Sequence, residues 1–324
     1  MTIPGSDEAA IAAGARALAA GDLVAFPTET VYGLGADALS PQAVSRVFTA
    51  KGRPPDHPLI CHVADAGGLA LLVAEVTPDA HALAQAFWPG PLTIILPRSQ
   101  AVPDEVTGGR DTVAVRIPDH PLALALLEQF GGPVAAPSAN RFGRPSPTRA
   151  EDVTAELGRS VAVVLDGGPC TIGIESTVLD LTTEPPQILR PGGIGPDAIS
   201  AVIGRPVSAT ASGPARAPGM LESHYAPGAR VEVVGDAGTA LRRADELTGA
   251  GQRVGLIAPG VAAGGDGPMI LARADSPDDY AAHLYAAFRR ADAQGLDVII
   301  AVPPPATGIG VAVRDRLARA AAGR

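Results

Sequence analysis

One lysine stands in this chain of 324 residues, Lys51, in the run Lys51-Gly52-Arg53; the other 24 basic residues are arginines. A sequence that uses guanidinium for every other cation and keeps one ammonium needs that group's shape, a compact point charge with three rotatable donors. Beside Arg53, in a loop after a helix, the pair suits a polyphosphate. A solvated charge pair at a helix end, where a cation is favoured, fits the same residues. Other positions that could do chemistry lie along the chain, beyond a Thr-Glu-Thr turn at 28–30: His62 on an apolar strand, Ser138 and Asn140 in PSAN (137–140), and Arg190 before Pro191-Gly192-Gly193. His62 reads equally well as a core histidine, and PSAN as a plain polar turn. Arg116 is odder, because TVAVRIP (112–118) is otherwise apolar at alternate positions. Thr112 on the same face makes it a ligand-facing strand. Arg190, next to glycine backbone that a ligand can approach closely, suits a phosphate contact.

Several common chemistries are excluded. GLGADA (33–38) fits the loose G-x-G-x-x-A pattern, but the following helix starts at Ser40, beyond the glycines, so its N-terminus is not where a pyrophosphate would sit. Lys51 is not preceded by the glycines of a Walker loop. No G-x-S-x-G, H-E-x-x-H or Cys/His metal spacing occurs. Cys61 and Cys170 form no C-x-x-C, which fits a reducing cytoplasm. MTIPGSDEAA has neither the basic nor the apolar region of an export signal, and no apolar run approaches the roughly 20 residues that span a bilayer.

Charge and composition narrow the class further. The net charge is −9, all of it in residues 1–205, where 13 basic face 22 acidic residues; from 206 on the two balance at 12 each. An anion site must therefore be a local cluster in an acidic body, and broad nucleic-acid binding is disfavoured. Aromatic residues make up only 3%, too few for a base-stacking platform.

The elements that must position these groups follow from caps and periodicity. Residues 6–20 read as a helix with Ser6 as N-cap, and LVAF (23–26) as a buried strand leading into the Thr-Glu-Thr turn. Ser40 and Pro41 open a second helix with Val44, Val47 and Phe48 on one face. It delivers Lys51 at its end, and Pro54, Pro55 and Pro58 break the chain after Arg53. LICHVA (59–64), LTIIL (92–96), TVAVRIP, VAVVLDGG (161–168), STVLDLT (176–182) and PQILRPGG (186–193) read as strands, PVAAPSAN (133–140) as a strand running into a polar turn, with helices over 78–87 and 121–130. The alternation in TVAVRIP predicts one exposed face and puts Thr112, Ala114 and Arg116 together. The stretch 206–228 has the Pro, Gly, Ala and Ser content of a linker. After it, strands at 231–235, 254–259 and 298–303 alternate with helices near 237–249, 277–294 and 309–322, a small open α/β domain. The expected division is 1–205, a linker at 206–228, and 229–324.

The order and spacing of PTETVYGLGADA, KGRPPDHPLICHV, WPGPLTIIL, VAVRIPDHP, PVAAPSANRFGRPSPT, ESTVLDL and LRPGGI resemble the successive blocks of YrdC-type threonylcarbamoyl-AMP synthases, over about residues 20–195. APGMLESHYAP (217–227) and the small domain after it are similar to the long, two-domain form. The resemblance implies an α/β fold: a YrdC-like twisted mixed sheet with helices around a concave groove, plus a small Rossmann-like open α/β domain. It implies a nucleotidyltransferase that makes threonylcarbamoyl-AMP and pyrophosphate from L-threonine, bicarbonate and ATP. That is the first step toward threonylcarbamoyladenosine in tRNA, completed by a partner transferase. Residue by residue, the threonine pocket would be Thr30, His62, Arg116, Ala136 and Ser176. ATP would meet Lys51, Arg53, His57, Thr112, Ser138, Asn140, Ser146, Arg190 and Tyr225, with Mg²⁺ carried on its phosphates. One position departs: His57 stands where the family more often has asparagine. Residues 217–227 would form a lid over the carbamate.

Lys51 and Arg53 are the expected catalytic groups, because a carbamate attacking the α-phosphorus brings two anions together. Two rivals stand beside this reading. A carbamoyl-AMP-forming domain of the hydrogenase-maturation type would carry zinc-finger cysteines that this chain lacks. A module binding double-stranded RNA conflicts with the acidic charge of residues 1–205.

Overall fold

A computed structural model describes residues 2–4, 8–209, 225–260, 268–272 and 274–322. The chain divides into two units. The first comprises Met1–Phe142, Pro147–Thr171 and Glu175–Met220; the second comprises Leu221–Arg324 together with two short loop segments, Gly143–Ser146 and Ile172–Ile174.

The first unit is built on ten strands: β1 (Thr2–Pro4), β2 (Val24–Phe26), β3 (Gly33–Asp37), β4 (Ile60–His62), β5 (Leu92–Pro97), β6 (Thr112–Arg116), β7 (Val134–Ala135), β8 (Val163–Asp166), β9 (Thr177–Asp180) and β10 (Gln187–Arg190). They form one mixed sheet in the order β1-β8-β2-β3-β7-β4-β6-β5-β9-β10. At its centre β4 runs parallel to β6, with His62 opposite Arg116 and Ile60 opposite Ala114. Strand β5 lies antiparallel to β6 and parallel to β9. Side chains on one face of a sheet recur every second residue, so Thr112, Ala114 and Arg116 share a face with Ile60 and His62.

Seven helices accompany this sheet: α1 (Glu8–Ala19), α2 (Pro41–Lys51), α3 (Pro78–Phe87), α4 (Asp104–Thr107), α5 (Pro121–Phe130), α6 (Ala150–Leu157) and α7 (Pro196–Ile203). Leu18 of α1 and Leu126 of α5 pack with Val24, Phe26 and Leu165 in one apolar cluster, while Val44, Val47 and Phe48 of α2 pack with Leu34, Cys61 and Val115 in the larger core. Helix α2 shows how the sequence sets its ends. The Ser40 side chain accepts from the Ala43 N–H, Pro41 fills the first turn, and Gly52 stops the helix at φ 62° with its N–H on the carbonyls of Phe48 and Thr49. That left-handed residue, natural for glycine, turns the chain so that Lys51 and Arg53 both point inward; they are 3% and 7% exposed.

The second unit carries a separate parallel sheet of β11 (Arg230–Val233), β12 (Val254–Ile257), β13 (Met269–Ala272) and β14 (Val298–Ala301), ordered β11-β14-β12-β13. Helices α8 (Ala237–Gly249), α9 (Pro277–Ala293) and α10 (Gly310–Ala321) cover it. The alternating β and α pattern of an open α/β domain is realised, with β13 as a further strand.

Three local expectations change. The face of β6 expected to be exposed is covered: Ala114 and Arg116 are buried along with Val113 and Val115. The strand expected to run into a polar turn over 133–140 is short, Val134–Ala135, before the chain turns and Ser138 bridges Gly33. Lys51 and Arg53 are not a solvated pair at a helix end. The cap at Ser6 and most of the lid at 217–227 lie outside the described residues.

Candidate functional site

A buried ammonium must find acceptors or lose its charge. Lys51 Nζ donates to the carbonyls of Ser138 and Asn140, each at 2.5 Å. The PSAN turn is thus wrapped around the one lysine through its backbone. The turn is also stitched to the segment after Thr30: Ala139 N–H donates to the Tyr32 carbonyl, Leu34 N–H to the Pro137 carbonyl, and Gly33 bridges Ser138. Phe142 N–H closes the loop on the Lys51 carbonyl at 2.8 Å. Burial, and then the positive charge of Arg53, hold the Lys51 pKa well below 10.5, against the opposing pull of Glu156 and Glu175. Arg53 donates from Nη2 to the Pro58 carbonyl at 3.0 Å and lies over the Phe142 ring. His57 meets the same ring edge-on at 5.4 Å, and burial followed by the Arg53 charge lowers its pKa.

The second cation centre explains the charge inside β6. Arg116 Nη1 donates to Thr30 Oγ1 at 3.0 Å and Nε to the Gly90 carbonyl at 3.1 Å. Its Nη2 lies 2.6 Å from Glu29 Oε1, an ionic contact whose angle falls outside hydrogen-bond geometry. Thr30 is set by its turn, because Thr28 Oγ1 donates to the Val31 carbonyl and accepts from the Thr30 and Val31 N–H groups. His62, opposite Arg116, is 4% exposed. Burial first and the Arg116 charge second bring its pKa down to about 3, although the carbonyls of Ile60 and Val134 pull the other way. It is therefore neutral at pH 7, and its Nδ1 has no hydrogen-bond partner among the described residues. Ala136 presents backbone at the end of β7, its N–H on the Ile60 carbonyl.

A third centre is tied to that of Arg116 through the Gly90-Pro91 loop. Arg190 donates from Nε to the Ser176 carbonyl and from Nη2 to Ser176 Oγ, both at 3.1 Å. Thr93 Oγ1 lies 2.8 Å from Ser176 Oγ. Thr177 N–H donates to the Pro91 carbonyl, one residue from the carbonyl that holds Arg116. Gly192 packs so tightly here that a Cβ would sit 2.2 Å from Thr177 N. Ile60 and Ala114, one pleat along the face from His62 and Arg116, belong to an apolar cluster with Ile95, Val178 and Leu189.

This arrangement offers fixed positive groups in a dry setting and no nucleophile. Burial pushes both thiols, Cys61 and Cys170, up to about 12. Among the described residues no group of three or more His, Cys, Asp or Glu side chains could hold a metal ion, and no helix is long and apolar enough to cross a membrane.

Comparison with known proteins decides the family. A family model described as "Telomere recombination", covering Sua5, YciO and YrdC proteins, matches residues 16–192, and a second, "Threonylcarbamoyl-AMP synthase, C-terminal domain", matches residues 194–322. The chain belongs to the Sua5/YrdC family. Among its relatives, the threonylcarbamoyl-AMP synthase of Pyrococcus abyssi is 46% identical over 93% of this chain and 90% of its own length. That of Bacillus subtilis is 44% identical over 97% and 93%. The crystal structure of P. abyssi Sua5 complexed with L-threonine superposes with a TM-score of 0.90 at 44% identity, covering 97% of this chain and 94% of that one.

For a Sua5/YrdC protein the expected site residues are distributed as follows. Thr30, His62 and Arg116 meet, with the Ala136 backbone beside them; Ser176 joins Arg190; Lys51, Ser138 and Asn140 meet; Arg53 and His57 share Phe142. Thr112 sits four residues before Arg116 on the same face and is part-exposed. Ser146 and Tyr225 belong to the second unit. Tyr225 is buried there at φ 62°, stacked on Tyr285 at 5.7 Å and under the Arg316 guanidinium at 5.1 Å. Residue reasoning gave no role to Glu29, Thr93 or Gly90. For Glu29 a signal existed, since it is the only charged residue between Leu23 and Ala36.

Proposed function

We propose that the protein joins L-threonine, bicarbonate and ATP into threonylcarbamoyl-AMP and pyrophosphate. It is a nucleotidyltransferase acting at the first step of tRNA threonylcarbamoyladenosine synthesis. The observation that carries the reading is the dry Lys51–PSAN clasp stitched to the turn that holds Thr30 against Arg116.

The threonine amine must first become a carbamate, which water destroys. A carbamate oxygen must then attack the α-phosphorus in line as pyrophosphate leaves. Lys51, Arg53 and Arg190 supply positive charge where two anions approach. Lys51 has three N–H donors, two of which face carbonyls, so the third is available to a phosphate oxygen. Threonine is assigned to Thr30, His62, Arg116, Ser176 and the backbone at Ala136. Neutral His62 accepts or donates a hydrogen bond to the substrate hydroxyl without bringing in charge. His57, Thr112, Ser138 and Asn140 are assigned to the nucleotide. The Mg²⁺ expected with ATP would ride on its phosphates and water, since Mg²⁺ commonly keeps several waters. A downstream transferase would take the threonylcarbamoyl group to tRNA, which places the work in the cytoplasm.

The test is pyrophosphate release from ATP measured with and without L-threonine and with bicarbonate stripped from the buffer. Release should require both. Release indifferent to threonine would defeat the assignment.

A further inference from the structure

Glu29 has no task in the scheme above, yet its position is costly. Its side chain is 6% exposed, and among the described residues its one ion pair is Oε1 against Arg116 Nη2 at 2.6 Å. Neither carboxylate oxygen has a partner of hydrogen-bond geometry among the described residues. An ionised carboxylate offers about four lone-pair directions, and a buried one left unfilled is strongly disfavoured. The charged or titratable groups around it are Arg116 on β6, His62 beside Arg116 on β4, His120 at the start of α5 and Cys170 in the loop after β8. The pocket lacks a donor that fits, and a small cation with several N–H groups would fill the open directions. The amino-acid ammonium is such a group, and it must shed protons before its nitrogen can attack carbon.

On the reading that threonine is carboxylated here, we propose that Glu29 holds the substrate ammonium and is the base that takes its proton. The balance is R–NH3⁺ + HCO3⁻ → R–NH–COO⁻ + H2O + H⁺. The N–C bond forms as one C–O bond of bicarbonate breaks. The departing oxygen leaves as water with one ammonium hydrogen, the carbamate nitrogen keeps one, and the third passes to Glu29 Oε2 and on to solvent. Arg116 then has two functions: it orients Thr30 and holds the Glu29 carboxylate in position through the 2.6 Å contact.

Glu29→Gln keeps the shape and one accepting oxygen but cannot take the proton. For this variant kcat should fall about 10²–10³-fold, the range of a lost general base, while the KM for ATP is unchanged. Its residual rate should climb about tenfold per pH unit between pH 7 and 9, as free amine becomes available, where the wild-type rate is flatter. Calorimetry supplies a readout without turnover: the wild type should prefer L-threonine to 2,3-dihydroxybutyrate, which lacks the ammonium, and the variant should lose that preference. Should Glu29→Gln not fold, Glu29→Asp retains a base one methylene short and should show reduced kcat with the wild-type pH profile. An intact kcat in either variant, or a Glu29→Gln loss that is flat with pH, would mean that Glu29 only pairs Arg116. If the wild type itself makes no threonylcarbamoyl-AMP, the reaction assignment has failed rather than the role of Glu29.

Discussion

At the scale of single residues, protonation states carry the account. Folded His62 has a pKa near 3 against an ordinary 6.5, so between those values the unfolded chain binds a proton that the folded one does not. Stability attributable to this residue is full above pH 6.5 and falls as the pH drops, by about 1.4 kcal/mol per unit until pH 3. Urea titrations from pH 7 to 4 should show His62→Gln losing stability less steeply on acidification than the wild type. Lys51 titrates the other way round in function. Its depressed pKa means that rising pH removes its charge below 10.5, whereas a bound triphosphate favours the charged form. ATP affinity should weaken as the pH rises from 7 toward 10, and Lys51→Met should flatten that dependence. An equal slope in both proteins, read by fluorescence titration, would contradict the assignment.

At the scale of elements, two glycines hold the cation centres in place for different reasons. Gly52 has open space around a hypothetical Cβ, so Gly52→Ala bears only the left-handed backbone penalty, about 1–2 kcal/mol. It should lower Tm modestly and raise the KM for ATP by disturbing the turn between Lys51 and Arg53. Gly192→Ala forces a Cβ onto Thr177 N and should destabilise more, with loss of the Arg190–Ser176 pairing. Comparable thermal melts for the two variants would refute this distinction. Helix α2 was legible because Ser40, Pro41 and Gly52 are local signals read over one or two residues. The Glu29–Arg116 contact joins positions 87 residues apart, the turn before β3 and the end of β6, and depends on the sheet order β3-β7-β4-β6. From the sequence, Arg116 read as a charge on a ligand-facing strand, with no partner inside the protein named for it. In PVAAPSAN the strand and the polar turn after it were legible, but not that the turn's carbonyls are committed to Lys51, 87 and 89 residues away.

At the scale of the whole chain, the charge distribution and the second unit set expectations of their own. With −9 concentrated in residues 1–205, affinity for plain RNA duplex should be negligible at 0.15 M salt; tight, salt-sensitive binding in a gel-shift assay would revive the RNA-module reading. Within the second unit, Asp292 gathers Arg144, at 2.5 Å, and the N–H groups of Gly228 and Ala229. Asp292→Ala removes their shared acceptor and should raise hydrogen exchange around 226–230 and 143–146 while leaving the β12–β14 ladder protected.

The central claim is that the Lys51 clasp and the Arg116 corner serve one reaction. Labelled bicarbonate, ATP and L-threonine, supplied to the wild type and to a Lys51→Met variant shown folded by its thermal melt, test it most directly. The account predicts label in an AMP adduct made by the wild type and at least a hundredfold less from the variant. Label at the wild-type rate from Lys51→Met, or ATP cleaved by the wild type with no label in the adduct, would contradict it.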